Sequence, residues 1–208
     1  MKRAGIHTLA LGALALMLCA CASTKLINNW RDSGYAGPPL TKILIIGVTK
    51  QSGIRRTFED IFAEQLRAHH VEAIQSYTLI PDDGEVPQER LAQAVRESSA
   101  QGLLITRLVK VDRQTQYYPG TYVGPRLGGF YGFYSLAWIG FYDPPQAYTY
   151  DVVTSETSLF EAKTNRLLWS GISETFSPQD VKKDTSEFAS VILKALAEQG
   201  LVPAGSDK

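Results

Sequence analysis

Lys42-Ile-Leu-Ile-Ile-Gly-Val48 is the stretch that decides the fold of this 208-residue chain. It is β-branched and apolar without alternation, the pattern of a strand buried on both faces. Immediately after it, Ile54, Phe58, Ile61, Phe62 and Leu66 fall on one stripe of an amphipathic helix. Ala73-Ile-Gln-Ser-Tyr77 reads as a short second strand. The loop Pro81-Asp-Asp-Gly-Glu85 then leads to Pro87 at the start of a second helix, with Leu91 and Val95 facing inward. Gly102 to Val109 is a third strand. Two strand–helix–strand units in succession predict parallel pairing with right-handed crossovers. Farther on, Tyr148–Ala162 and Leu167–Phe176 form a hairpin across Lys163-Thr-Asn-Arg166. A last helix points Phe188, Val191, Ile192, Ala195 and Leu196 inward and closes at Gly200. The expectation is an α/β fold: βαβαβ, then a hairpin and a C-terminal helix, with helices on a five-stranded mixed sheet. It forms one domain over 42–202 with a tail at 203–208.

Toward the N-terminus the chain changes character. Lys2 and Arg3 precede an apolar run from Ile6 to Leu18, and Leu18-Cys19-Ala20-Cys21 follows. This is the layout of an export signal, since the run is shorter than the about 17–25 residues of a membrane span. The last four residues resemble a bacterial lipobox, which implies cleavage of 1–20 and lipid on Cys21, with Ala22 favouring the outer membrane. Several acyl chains at about 0.8 kcal/mol per buried methylene anchor firmly. Residues 21–41, with Asn28-Asn29, Gly34 and Gly37-Pro38-Pro39, read as the lipidated cysteine and its tether, with a reach of about 65 Å. Trp30 and Tyr35 are out of place in a tether and either pack back on the domain or sit at headgroup level.

Composition excludes several functions. The 21 basic and 21 acidic residues balance, which leaves no general footprint for a nucleic acid. Two cysteines exclude a disulfide scaffold or a four-cysteine zinc site. Cleavage before Cys21 would leave one cysteine, acylated, so thiol chemistry is not expected, nor any cofactor beyond the covalent lipid.

One segment does not fit an ordinary α/β domain. Residues 117–142 hold ten of the 21 aromatics: Tyr117, Tyr118, Tyr122, Phe130, Tyr131, Phe133, Tyr134, Trp138, Phe141 and Tyr142. Between 114 and 150 the only charged residues are Arg126 and Asp143. Connections are commonly about 4–6 residues, so this is an insertion. It reads as a loose loop folding back, a contact surface for a membrane interface or a partner protein, or a membrane-spanning hairpin. Pro125 and the adjacent ring pairs disfavour the last.

Chemistry has few places to sit. His69 and His70 are adjacent, so their side chains diverge by about 100° and do not make a metal pair on a helix. No nucleophile elbow surrounds a serine, and Ser170 lies in Trp-Ser-Gly-Ile. The loop after the first strand offers Thr49, Lys50, Ser52, Arg55 and Arg56 as an anion cradle at a helix N-terminus. The phosphate-loop pattern is incomplete, however, and Arg55 and Arg56 are spaced to pair with Glu59 or Asp60.

Trp30, Lys42–Val48, Arg55-Arg-Thr-Phe-Glu-Asp60, Ser76-Tyr77, Pro81, Thr106-Arg-Leu-Val-Lys110 and Leu168-Trp-Ser-Gly171 together carry a resemblance. The chain resembles a group of proteobacterial outer-membrane lipoproteins that share the lipobox start and a Tyr/Gly-rich insertion before the final hairpin. In topology alone, the domain is similar to the α/β domains of the TolB N-terminal part and the curli-secretion lipoprotein. The expectation is a non-enzymatic lipoprotein on the periplasmic face of the outer membrane, binding an envelope partner through its insertion. The alternatives are an oligomeric secretion or pore component, and a small anionic ligand bound at 49–56.

Overall fold

A computed structural model describes residues 23–81, 84–123, 141–143 and 145–205, with side chains of 121–123 and 141–143 left aside. The strands are β1 (Thr24–Arg31), β2 (Lys42–Val48), β3 (Glu72–Gln75), β4 (Gly102–Tyr118), β5 (Thr121–Val123), β6 (Phe141–Asp143), β7 (Gln146–Glu161) and β8 (Arg166–Phe176). The helices are α1 (Ser52–Ala68), α2 (Gln88–Ser98) and α3 (Val181–Glu198).

The apolar run at 42–48 sits where its composition requires, between two neighbours. β2 pairs in parallel with β3 on one side and β4 on the other. The sheet then continues antiparallel through β7, β8 and β1, giving the order β1-β8-β7-β4-β2-β3. This is the expected mixed α/β domain, but with six strands rather than five. The additional one is β1, whose residues were expected in the tether. It forms the outer edge of the sheet, from Thr24 opposite Thr175 to Arg31 opposite Trp169. The segment after it is also docked: Tyr35 lies in the core and the Leu40 N–H donates to the Leu201 carbonyl at 2.8 Å, whereas Trp30 is exposed.

Residues alternate along β2, so Ile43 and Ile45 face the same core as Leu104, Leu159 and Trp169, all fully or almost fully buried. α1 and α3 cover that face and meet through three rings. Phe58 and Phe62 are 4.8 Å apart, and Phe188 lies 5.8 Å from Phe62 and 6.0 Å from Phe58. Burying each such side chain is worth about 1.5–3 kcal/mol, which fixes the two helices side by side. Leu44 points to the opposite face by alternation and is equally buried. On α2 the buried residues are Ala94 and Ser98, while Leu91 and Val95 are half-buried.

Candidate functional site

β2 and β4 run in the same direction and end beside the start of α1, the crevice position in open α/β sheets. A buried polar knot fixes this corner. Glu59, fully buried, accepts hydrogen bonds from Gly47 N (3.0 Å), Arg55 Nε (3.1 Å), Ser76 Oγ (2.7 Å) and Tyr77 N (3.0 Å). Arg55 Nη2 also donates to Ser76 Oγ at 2.8 Å. One carboxylate thereby ties α1 to the end of β2 and to the turn after β3. Gly47 suits this close packing, because a Cβ there would stand 3.0 Å from the Phe58 ring and the ring would have to shift. The Arg55–Glu59 spacing was legible in the chain, but Gly47 and Ser76 join it only through the tertiary fold.

Beyond the knot, a cavity of about 500 Å³ opens between the N-terminal ends of α1 and α3 and the sheet. Ile54, Phe58, Val181, Phe188, Leu108 and Val153 make it mainly apolar, and Thr106, Ser155 and Thr175 contribute hydroxyls from three different strands. Its acids are engaged in starting α3. Asp180 accepts from Lys183 N at 2.9 Å, and Asp184 accepts from Gln179 N at 2.8 Å and Asp180 N at 2.9 Å. Among the described residues no group of three His, Cys, Asp or Glu is arranged to hold a metal ion.

The structure does not bring the five anion-cradle residues together. Thr49 lines the cavity and its hydroxyl accepts from Gln51 N at 3.2 Å, while Lys50 and Ser52 are exposed. Arg55 is turned into the Glu59 knot. Arg56 lies over the Tyr77 ring, 5.6 Å from its centroid. The Tyr77 hydroxyl donates to Asp60 at 2.7 Å, and that bond raises its pKa above the ordinary tyrosine value.

The other candidate element is a long ribbon. β4 and β7 stay paired far past the rest of the sheet, to Tyr118 opposite Gln146, and β5 and β6 pair beyond them. Opposite residues share a face in such a ladder. Tyr118, Tyr148 and Tyr150 therefore lie on one side with Gln114, Gln116 and Gln146. The Tyr148 and Tyr150 rings stack at 6.0 Å, and the Tyr150 hydroxyl donates to Gln114 Oε1 at 3.0 Å. Tyr117 is 77% exposed on the other side. Of the aromatics singled out in the insertion, Tyr122, Phe141 and Tyr142 fall in β5 and β6. Phe130, Tyr131, Phe133, Tyr134 and Trp138 lie outside the described residues, as does Cys21. Among the described residues, no helix is long and apolar enough to cross a membrane.

At the root of β1 the Ser23 N–H and hydroxyl both donate to Glu187 Oε2, at 3.0 and 2.7 Å. These bonds hold the Glu187 carboxyl below its ordinary pKa. At the far end Asp32 pairs with Arg166, and with Gly34 N this keeps its carboxyl low as well.

Neither a protein-family model nor a curated protein sequence matches the chain. Among solved structures it is similar to the PelC dodecamer from Paraburkholderia phytofirmans, with a TM-score of 0.42 and 16% identity over 82% of this chain and 95% of that one. It is also similar to the lipoprotein GNA1162 from Neisseria meningitidis, with a TM-score of 0.40 and 11% identity over 76% of this chain and 99% of that one.

Proposed function

We propose that this chain is a lipid-anchored, non-enzymatic protein of the bacterial envelope. It is held on the periplasmic face of the outer membrane through lipid on Cys21 and makes its contacts through the β4–β7 ribbon and the insertion it carries. The observation that carries the reading is how soon after Cys21 the described residues are already part of the fold. Ser23 is already hydrogen-bonded to Glu187 and Thr24 is already in the sheet, two and three residues after Cys21. Cleavage before Cys21 thus leaves every described strand and helix intact, and residues 1–20 have the composition of an export leader. The non-enzymatic part is supported by the acids beside the cavity, Asp180 and Asp184, each of which has one carboxylate oxygen taken up by backbone N–H groups at the start of α3.

The test is the intact mass of the membrane-extracted protein beside a Cys21→Ser variant. The expected result is a chain starting at residue 21 with added acyl mass, and an unacylated, unprocessed variant. An unmodified wild-type chain would overturn the anchor.

A second reading, self-association, is favoured by the open edge of β1. Ile27 and Trp30 are 54% and 51% exposed there, on a strand whose outer backbone edge has no neighbouring strand among the described residues. It predicts an oligomeric mass in detergent that falls to a monomer when a proline is placed in β1 at Ile27.

A further inference from the structure

Thr24, Thr175, Val153 and Val111 stand side by side in one row across β1, β8, β7 and β4. β1 runs from that row into the sheet, so the chain enters it at Ser23 from the end of the sheet where β4 and β7 continue alone. Ser23 is fixed there by Glu187 and by the Phe176 N–H, which donates to its carbonyl at 2.8 Å. Whatever path it takes, a link of three residues keeps Cys21 within about 10 Å of Thr24.

The same rise of about 3.3 Å per residue measures the ribbon. Arg113 and Asp151 stand about 7 Å beyond the row, and Tyr118 about 23 Å. Ion pairs mark its root: Lys110 with Asp112 at 2.6 Å and Arg113 with Asp151 at 3.1 Å. Past them, residues 114–118 and 146–150 are Gln, Thr, Ala and Tyr, without a charge. The ribbon therefore stops being charged about 7 Å beyond the row, a distance within the reach of Cys21 from Thr24.

From this coincidence we infer that the ribbon beyond Arg113 and Asp151 lies in the headgroup interface of the bilayer that carries the Cys21 lipid, with the ion pairs outside it. The inference rests on the lipid-anchor reading and gives the contact element its partner, a phospholipid surface. Tyrosine rings with hydroxyls and glutamine amides suit a layer that is apolar on one side and wet on the other. The layer is roughly 5–8 Å thick per leaflet. A two-stranded ribbon has open backbone edges, which headgroups and water satisfy and acyl chains do not, so it lies tilted along the interface rather than crossing the membrane.

Spin labels test this directly, because the mature chain has no other cysteine than Cys21. Lipidated full-length protein carrying Val111→Cys, Tyr148→Cys or Tyr118→Cys is labelled and reconstituted into phosphatidylethanolamine–phosphatidylglycerol vesicles. Relaxation by oxygen and by a water-soluble nickel complex is then compared. The label at 111 is expected to stay fully accessible to nickel. The labels at 148 and 118 should lose nickel access several-fold and gain oxygen access only when vesicles are present. The intact mass of the same sample separates the two ways of failing. Acylated protein with all three labels equally open to nickel overturns the interface placement and leaves the ribbon to a protein partner. Protein without acyl mass overturns the anchor and this inference with it.

Discussion

Replacing Glu59 by alanine should destabilise the domain more than any other exchange of one charged residue. Its carboxylate is fully buried and takes four hydrogen bonds, two of them from the backbone N–H groups of Gly47 and Tyr77. Without it, Arg55, whose side chain is 7% exposed, keeps its charge in the interior without the carboxylate that balances it. Breaking a buried ion pair from one side costs about 3–5 kcal/mol. For a domain of this size about 1 kcal/mol corresponds to 2–4 °C, so the melting temperature should fall by roughly 6–20 °C. The assay is urea unfolding of the mature chain with Cys21→Ser, followed by circular dichroism. Glu59→Gln keeps the shape but turns an amide toward donors, and should fall in between. Exchanging both residues for leucine should not restore stability, because the two backbone N–H groups still lose their acceptor, at about 1–3 kcal/mol each. A loss below about 1 kcal/mol for Glu59→Ala would refute the knot as the element that fastens α1 to β2.

Gly171→Ala should disturb the tryptophan packed over it, since a Cβ there would fall 2.2 Å from the Trp169 ring. Overpacking of this kind costs about 1–3 kcal/mol, and near-ultraviolet dichroism should change with it; an unaltered spectrum and melting curve would count against the packing. Replacing residues 114–150 by a two-residue Asn-Gly turn should leave the fold intact, because the described residues of that stretch contribute nothing to the core cluster. Its melting temperature should stay within a few degrees of the parent. β1 should loosen in acid. The Glu187 and Asp32 carboxyls are both depressed by their partners, so their contribution is complete above the unfolded carboxyl values of about 4 and disappears as pH falls through the lower folded values. Hydrogen exchange of residues 24–31, corrected for intrinsic rates, should therefore lose protection below about pH 4, and Glu187→Ala should show weaker protection already at neutral pH.

The parts of the fold that bury a continuous apolar face were legible in the chain: β2, α1, the β7–β8 hairpin and α3 all stand where periodicity put them. β1 was not. Thr-Lys-Leu-Ile-Asn-Asn-Trp-Arg buries only Thr24 and is exposed at most other positions, because an edge strand takes its stability from backbone pairing with β8 rather than from a hydrophobic stripe. The outer arm of β4 escaped for the same reason: with solvent on both faces, Lys110 to Tyr118 has no alternation to read, and the strand was expected to end at Val109. Thr106, Ser155 and Thr175 could not be grouped beforehand, since they line one cavity only once three strands are in register.

If lipid on Cys21 anchors the chain as proposed, the pairing of β1 leaves only a short link to the membrane, and that distance is measurable. Neutron reflectometry of the lipidated protein on a supported outer-membrane-like bilayer reads the water-filled gap between headgroups and folded protein. With Ser23 held by Glu187 and Thr24 in the sheet, the gap should be under about 10 Å, with protein density reaching into the headgroup layer. A hydrated gap of several tens of ångströms, such as a free tether over 21–41 would allow, would contradict the account.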